Sequence, residues 1–161
     1  MDVVNGWLIL AHPLLIEQIG KLVAAGEKAR QRNPQTFGQD ANVKLLVALR
    51  HLIWEKIPAD PAAAEYRQGN TLGEGRKHWF RAKFGNQRFR LFFRYSSAAR
   101  TIIFAWVNDE KTLRTYGART DAYAVFRRML ADGHPPDDWD ALMRAAIPAR
   151  AALESLPEQD G

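Results

Sequence analysis

The sequence predicts a single α+β domain: a twisted, mainly antiparallel sheet packed on an N-terminal helical pair, with an added C-terminal helical segment. Three observations carry this prediction. Apolar residues recur at helical spacing through the first third of the chain, three strand-like runs follow between residues 79 and 107, and helical spacing returns after residue 121. With 161 residues and 47% hydrophobic composition the chain encloses one ordinary core. The domain is therefore expected at residues 1–156, with a polar, disordered tail at 157–161.

The first strand is expected in Trp7-Leu8-Ile9-Leu10-Ala11-His12, a short apolar run, and Pro13 directly after it suits the first position of a helix. Leu15, Ile19, Leu22 and Val23 carry that helix to the Asn33-Pro34 breaker. A second helix is expected from Asn42 as N-cap, with Leu45, Leu46, Leu49, Ile53 and Trp54 on one side until Pro58 stops it. The two form an antiparallel pair. Residues 59–77, with Pro61, Gly69, Gly73 and Gly75, read as a long connection, and connections of that length are more often functional than not.

The runs Trp79 to Phe84, Arg88 to Tyr95 and Thr101 to Val107 then form a meander. The first two alternate apolar and polar, whereas the third is apolar on both sides, as a central strand covered on both faces would be. Ser96 and Ser97 are read as turn residues. Asp121 caps a helix carrying Val125, Phe126, Met129 and Leu130, which ends at Gly133 in the favoured C′ position. Short helical pieces follow His134-Pro135-Pro136, interrupted at Pro148.

Charge narrows the function. The net +5 conceals a segment, residues 76–128, with 13 Lys/Arg against only Asp109, Glu110 and Asp121, so the rest of the chain is net acidic. A concentrated positive field attracts polyanions, nucleic acid foremost. The absence of cysteine excludes disulfides, thiolate metal sites and thiol nucleophiles. No run approaches the roughly 18 apolar residues of a membrane span, and no signal-peptide pattern opens the chain, so a cytoplasmic protein without a membrane partner is expected.

The hairpin register concentrates that charge. With Asn86-Gln87 as a two-residue loop, Gly85 pairs with Arg88, Lys83 lies opposite Arg90, Arg81 opposite Phe92 and Trp79 opposite Arg94. One sheet face then bears Arg81, Lys83, Arg88, Arg90 and Arg94, with Trp79 and Phe92 among them. Like charges across a strand pair cost a few tenths to about 1 kcal/mol, a cost an RNA phosphate would offset. Arginine forks match phosphate oxygens, and the aromatic rings offer stacking surfaces for bases. The same arginines also fit a sheet surface paired with acids from the helices or from a partner.

The segment has no Gly-rich phosphate loop, no His-Glu-x-x-His and no paired carboxylates at helical spacing, which points away from a metal-dependent nuclease and calls for no cofactor. RNA carries its own nucleophile in the 2′-hydroxyl. The protein must then align the nucleotide, stabilise charge on the phosphorane, and move a proton from the 2′-oxygen to the 5′-oxygen. Arginine suits the second task and not the third, because it stays protonated. Lys83, Tyr116, His78 and His134 are the candidates for proton transfer. A non-catalytic RNA- or DNA-binding module fits the same charge and aromatics, as does an interaction subunit docking an acidic partner.

The segment Arg88-Phe89-Arg90-Leu91-Phe92-Phe93-Arg94-Tyr95, followed by Trp106-Val107-Asn108-Asp109-Glu110-Lys111-Thr112-Leu113-Arg114-Thr115-Tyr116-Gly117, resembles the YhaV toxin family of the RelE-like superfamily. Asn5-Gly6-Trp7, Ala11-His12-Pro13, Lys83-Phe84-Gly85, Thr120-Asp121-Ala122-Tyr123 and Gly133-His134-Pro135-Pro136 extend the resemblance over residues 5–140. It implies a RelE-like fold and the toxin of a type II toxin–antitoxin system. The implied activity is an endoribonuclease of the mRNA interferase type, acting on RNA on or off the ribosome and arresting translation. The implied partner is a PrlF-type antitoxin, a swapped-hairpin DNA-binding protein through which the complex binds its own promoter DNA. Arg81, Arg90, Lys111, Arg114 and Tyr116 match the RelE-like site roles, although Asp109 and Glu110 stand where many such toxins are basic. The combined expectation is a catalytic set of Arg81, Arg90, Lys83, Tyr116 and Arg114, with substrate held by Trp79, Arg88, Phe92, Arg94, Lys111 and His134.

Overall fold

The computed structural model describes residues 2–150, so the expected tail at 157–161 and the domain end at 156 lie outside the described residues. The chain is α+β with one mixed sheet, in the strand order β1 (Val3–Val4), β2 (Trp7–Ala11), β5 (Thr101–Val107), β4 (Phe89–Ser96), β3 (Phe80–Phe84). A short β6 (Ile147–Pro148) joins the β2 edge beside β1. Four pairs are antiparallel; β2 and β5 run parallel. The β3-β4-β5 meander follows the sequence expectation, and β5 is buried along its whole length between β4 and β2. The β1–β2 hairpin turns on Asn5-Gly6, both at positive φ, the signature of a tight two-residue hairpin turn.

Helix α1 (Pro13–Arg32) starts where β2 ends: the His12 Nδ1 accepts from the Leu14 N–H, and Pro13 occupies the first turn. The second helix, α2 (Ala41–His51), is capped by Asp40, whose carboxylate accepts from the N–H groups of Asn42 and Val43. The expected cap at Asn42 is thus two residues late, because an acidic acceptor precedes it. Past His51 the chain widens into a π-turn over Leu52–Lys56 and ends in the short α3 (Ile57–Ala59). Pro58 lacks an N–H and crowds the turn before it, which the widened turn accommodates. Among the described residues no helix is long and apolar enough to cross a membrane.

Both faces of the sheet are covered. On one side Ile9, Ala11, Phe93 and Phe104 meet Leu15, Ile19, Leu49 and Ile53 of the helical pair and the π-turn. On the other, Leu10, Phe92, Ile103 and Trp106 meet Tyr123, Phe126 and Leu130 of α4 (Ala122–Ala131) and Leu142 of α5 (Trp139–Ala145). A bulge in the β4–β5 ladder leaves Ala105 unpaired, so that Ala105 and Trp106 both serve the α4 side. Phe126 stacks on Phe92 at 4.3 Å and on Trp106 at 5.6 Å. Truncating such a ring costs about 3–5 kcal/mol, so α4 is fixed on the very face that strand alternation alone offers to RNA.

Candidate active site

The β3–β4 hairpin has the register expected of it: Arg81 opposite Phe92, Lys83 opposite Arg90 and Phe84 opposite Phe89. Asn86 and Gln87 both take positive φ, as a type I′ turn demands. Gly85, also at positive φ, has no room for a side chain, since a Cβ there would stand 2.7 Å from the Phe89 ring. The turn aims Arg81 and Arg90 to the same side of adjacent strands.

Both arginines are nearly buried, at 9% and 5% exposure, against the first turn of α4. The Tyr123 hydroxyl accepts from Arg81 Nε at 2.8 Å and from Arg90 Nε at 3.0 Å. Arg81 Nη1 donates to the Glu65 carbonyl and Arg90 Nη1 to the Gln87 carbonyl, each at 2.8 Å. Among the described residues neither Nη2 has a partner, and neither is sealed from solvent. Neither arginine forms an ion pair there. Two nearly buried cations, each with one unpartnered nitrogen and no counterion among the described residues, can be stabilised by an incoming anion.

Asn108 extends this arrangement past the end of β5. Its side chain accepts from the Arg90 N–H at 2.6 Å and donates to the carbonyls of Arg88 and Thr112 at 3.1 and 3.0 Å. The turn that follows brings in Arg114, whose Nη1 lies 2.8 Å from an oxygen of Asp121, the N-cap of α4. Burial alone would raise the Asp121 carboxyl, but hydrogen bonds from Arg114 and the Thr115 N–H outweigh it and hold the group below the usual carboxylate range. For Arg114 burial opposes the charge, and the hydrogen bond to Asp121 more than restores it. The Arg114 guanidinium sits 3.7 Å from the Tyr116 ring centre and 4.8 Å from that of Tyr123. Tyr116 is 84% exposed.

The expected residues are therefore only partly gathered. Arg81, Arg90 and Arg114 surround Tyr123, Tyr116 lies against Arg114, and Lys83 stands exposed on the same strand face, opposite Arg90. Lys111 is exposed in the turn after Asn108, its N–H held by Asp109. Trp79 and Phe92 are wholly buried against Phe126, so they cannot stack on bases, because the apolar face of α4 claims them first. Arg88 precedes the first residue of β4, where strand alternation no longer governs. It lies on the helical-pair side, lining a cavity of about 650 Å³ near Glu110, with its Nη1 3.8 Å from that carboxylate. Arg94 lies between the Trp79 and Trp139 rings, and its Nη1 donates to the Asp137 carbonyl. His78 shares the Asp137 carboxylate with the Trp79 indole, both at 2.7 Å. His134 lies beyond the far end of α4, eleven residues after Tyr123, with the helix of about 15 Å between them.

The sequence alone does not mark Tyr123 and Asn108 as site residues. A signal was present for Tyr123: it shares an inward helical stripe with Phe126 and Leu130, and a buried tyrosine needs a partner for its hydroxyl.

A family model described as "Toxin with endonuclease activity, of toxin-antitoxin system" matches residues 9–147, a span containing every residue of this cluster. The chain belongs to the YhaV toxin family. It is 48% identical over 142 residues to the "Ribonuclease toxin YhaV" of Escherichia coli (strain K12), covering 88% of this chain and 92% of that one. The "Toxin YhaV" of Escherichia coli O157:H7 matches to the same extent, and that of Escherichia coli O6:H1 is 48% identical over 140 residues. No solved structure matches the chain. As a YhaV-family toxin the chain is an endonuclease with an antitoxin partner.

Proposed function

We propose that this YhaV-family toxin is a metal-independent endoribonuclease whose scissile phosphate is held by Arg81 and Arg90. The observation that carries the reading is the pair of solvent-accessible Nη2 groups on two buried, acid-free guanidiniums. In the reaction the 2′-oxygen attacks phosphorus, the P–O5′ bond breaks, and the proton lost by the 2′-oxygen reaches the 5′-oxygen. The products are a 2′,3′-cyclic phosphate and a 5′-hydroxyl. The arginine pair neutralises the added charge on the phosphorane, an effect worth about 10²–10³ in rate for each donor.

Tyr116, exposed and backed by Arg114, supplies the stacking ring that Trp79 and Phe92 do not. Of the expected proton-transfer candidates, Lys83 faces Arg90 across the strand pair and Tyr116 lies on Arg114, and the proton passes through one of these two. Lys111 adds a nearby phosphate contact. The resemblance further supports a RelE-like fold, a PrlF-type antitoxin, promoter binding through that antitoxin, and cytoplasmic action on mRNA on or off the ribosome.

The test incubates pure protein with end-labelled RNA, with and without ribosomes, in the presence of chelator. Fragments ending in a 2′,3′-cyclic phosphate are expected, and Arg81→Lys and Arg90→Lys should each abolish most of them. Fragments with 3′-hydroxyl ends that vanish with chelator would sink the mechanism. Intact RNA with binding that weakens steeply as salt rises would make the chain a binding module instead.

A further inference from the structure

Tyr123 is only 4% exposed, and its hydroxyl is satisfied by two cations at once. Arg81 and Arg90 are diagonal neighbours across the β3–β4 pair, since Arg81 faces Phe92 and Arg90 faces Lys83. At the roughly 7–8 Å usual for such neighbours their charges repel, so their shared orientation needs a cause. Among the described residues Tyr123 Oη is the only side-chain acceptor either guanidinium has. Each guanidinium is held a second time, at Nη1, by a backbone carbonyl. A planar group fixed through two of its nitrogens has the direction of the third fixed as well.

Tyr123 is itself immobilised. Its N–H donates to the Asp121 carboxylate at 3.0 Å, and its ring meets Phe92 edge-on at 5.7 Å and carries Arg114 at 4.8 Å. The path from Asp121 through Tyr123 to the arginines thus runs from a helix cap to the two free Nη2 groups.

We propose that Tyr123 is the positioning residue of the arginine pair, its buried hydroxyl orienting both guanidiniums so that their Nη2 groups address one phosphate during cleavage. This rests on the reading of Arg81 and Arg90 as the phosphate-holding pair. Tyr123 acts through them and touches no substrate. Donors oriented before the reaction stabilise developing charge without reorganising as it forms, so the benefit falls on the chemical step more than on binding.

Tyr123→Phe keeps the ring, and with it the packing on Phe92 and Arg114, and removes only the shared acceptor. We expect kcat on RNA to fall about 10- to 100-fold with KM changed less than about threefold. In an Arg90→Lys background the same substitution should cost far less, because the interaction it serves is already lost. Phe126→Leu, a packing change on the same helix, controls for stability. If it lowers kcat as much as Tyr123→Phe at an equal loss of melting temperature, the inference is overturned. So it is if kcat of Tyr123→Phe stays within twofold of the parent while Arg81→Lys and Arg90→Lys lose activity. Activity retained by both arginine variants would instead overturn the site reading beneath it. Nitrogen-15 NMR of the unmodified protein tests the geometry without a variant: the Nε–H protons of Arg81 and Arg90 should exchange with water far more slowly than that of Arg119, an exposed arginine in the turn before α4, and equal rates would also overturn it.

Discussion

The side-chain oxygen of Asn108 accepts a hydrogen bond from the backbone N–H of Arg90 at 2.6 Å, doing for β4 what the next residue of β5 would have done. Asn108 is 1% exposed, and its amide also holds the carbonyls of Arg88 and Thr112. Asn108→Ala leaves three backbone groups without this partner, at about 1–3 kcal/mol for each one that stays buried. A total loss of roughly 2–4 kcal/mol, or a melting temperature lower by roughly 5–15 °C, is expected. Calorimetry checks it, and a change under about 1 °C would refute the role of Asn108 as the end of the ladder.

Tyr116 separates binding from folding, because it is 84% exposed. Tyr116→Ala should leave the melting temperature within about 2 °C of the parent, as surface substitutions do. Its affinity for single-stranded RNA should fall by about 1–3 kcal/mol, the worth of one base stacked on an aromatic ring. Tyr116→Phe should keep that affinity. Fluorescence anisotropy with a short labelled RNA measures both, and undiminished binding by the alanine variant would rule the ring out as a stacking surface.

Acid should act on the Asp121–Arg114 pair. The folded Asp121 carboxyl titrates below its ordinary value, so its contribution to stability is fully present above about pH 4 and is lost as pH falls through the folded pKa. Asp121→Asn keeps an acceptor for the helix cap and removes the titration. Denaturant unfolding between pH 5 and pH 2 should therefore show a shallower pH dependence for the variant; parallel curves would mean that the pair contributes nothing.

His12 makes a second pH-dependent contribution at higher pH. Burial first, and the charge of nearby His134 second, lower its pKa below the ordinary 6.5. Its neutral form is the one the fold accepts, so the stability it contributes is present above about pH 6.5 and is lost as pH falls toward the folded pKa. His12→Asn keeps a side-chain acceptor for the Leu14 N–H and cannot protonate. Relative to the parent, this variant should gain stability as pH falls from 7 to 5, as followed by urea unfolding; a constant difference across that range would contradict the assignment.

What the sequence by itself determined is local. The alternation in β3 and β4 and the Asn86-Gln87 turn sufficed for the register, because a hairpin's pairing depends on a few adjacent residues and a one-residue slip would have mixed charged with apolar positions. The Asp121 cap and the run of apolar residues in β5 were legible for the same reason. The short β1 and β6, at two residues each, show no periodicity, and only the turn residues Asn5-Gly6 signal the first of them. The parallel pairing of β2 with β5 joins segments some ninety residues apart, which no local pattern encodes.

Only the tertiary structure decided which parts of the basic face are open. Alternation placed Trp79, Phe92, Arg81 and Arg90 on one side of the sheet, but α4 needed that side for Tyr123, Phe126 and Leu130. Burying aromatic area there outweighs leaving it to RNA, so the rings became core and the arginines kept only their outer edges in solvent. The meeting of Arg81 and Arg90 at Tyr123 has the same origin: residues 33 and 42 positions apart in sequence meet because a helix docks on a hairpin, and hydrogen bonds of that span are settled by packing alone.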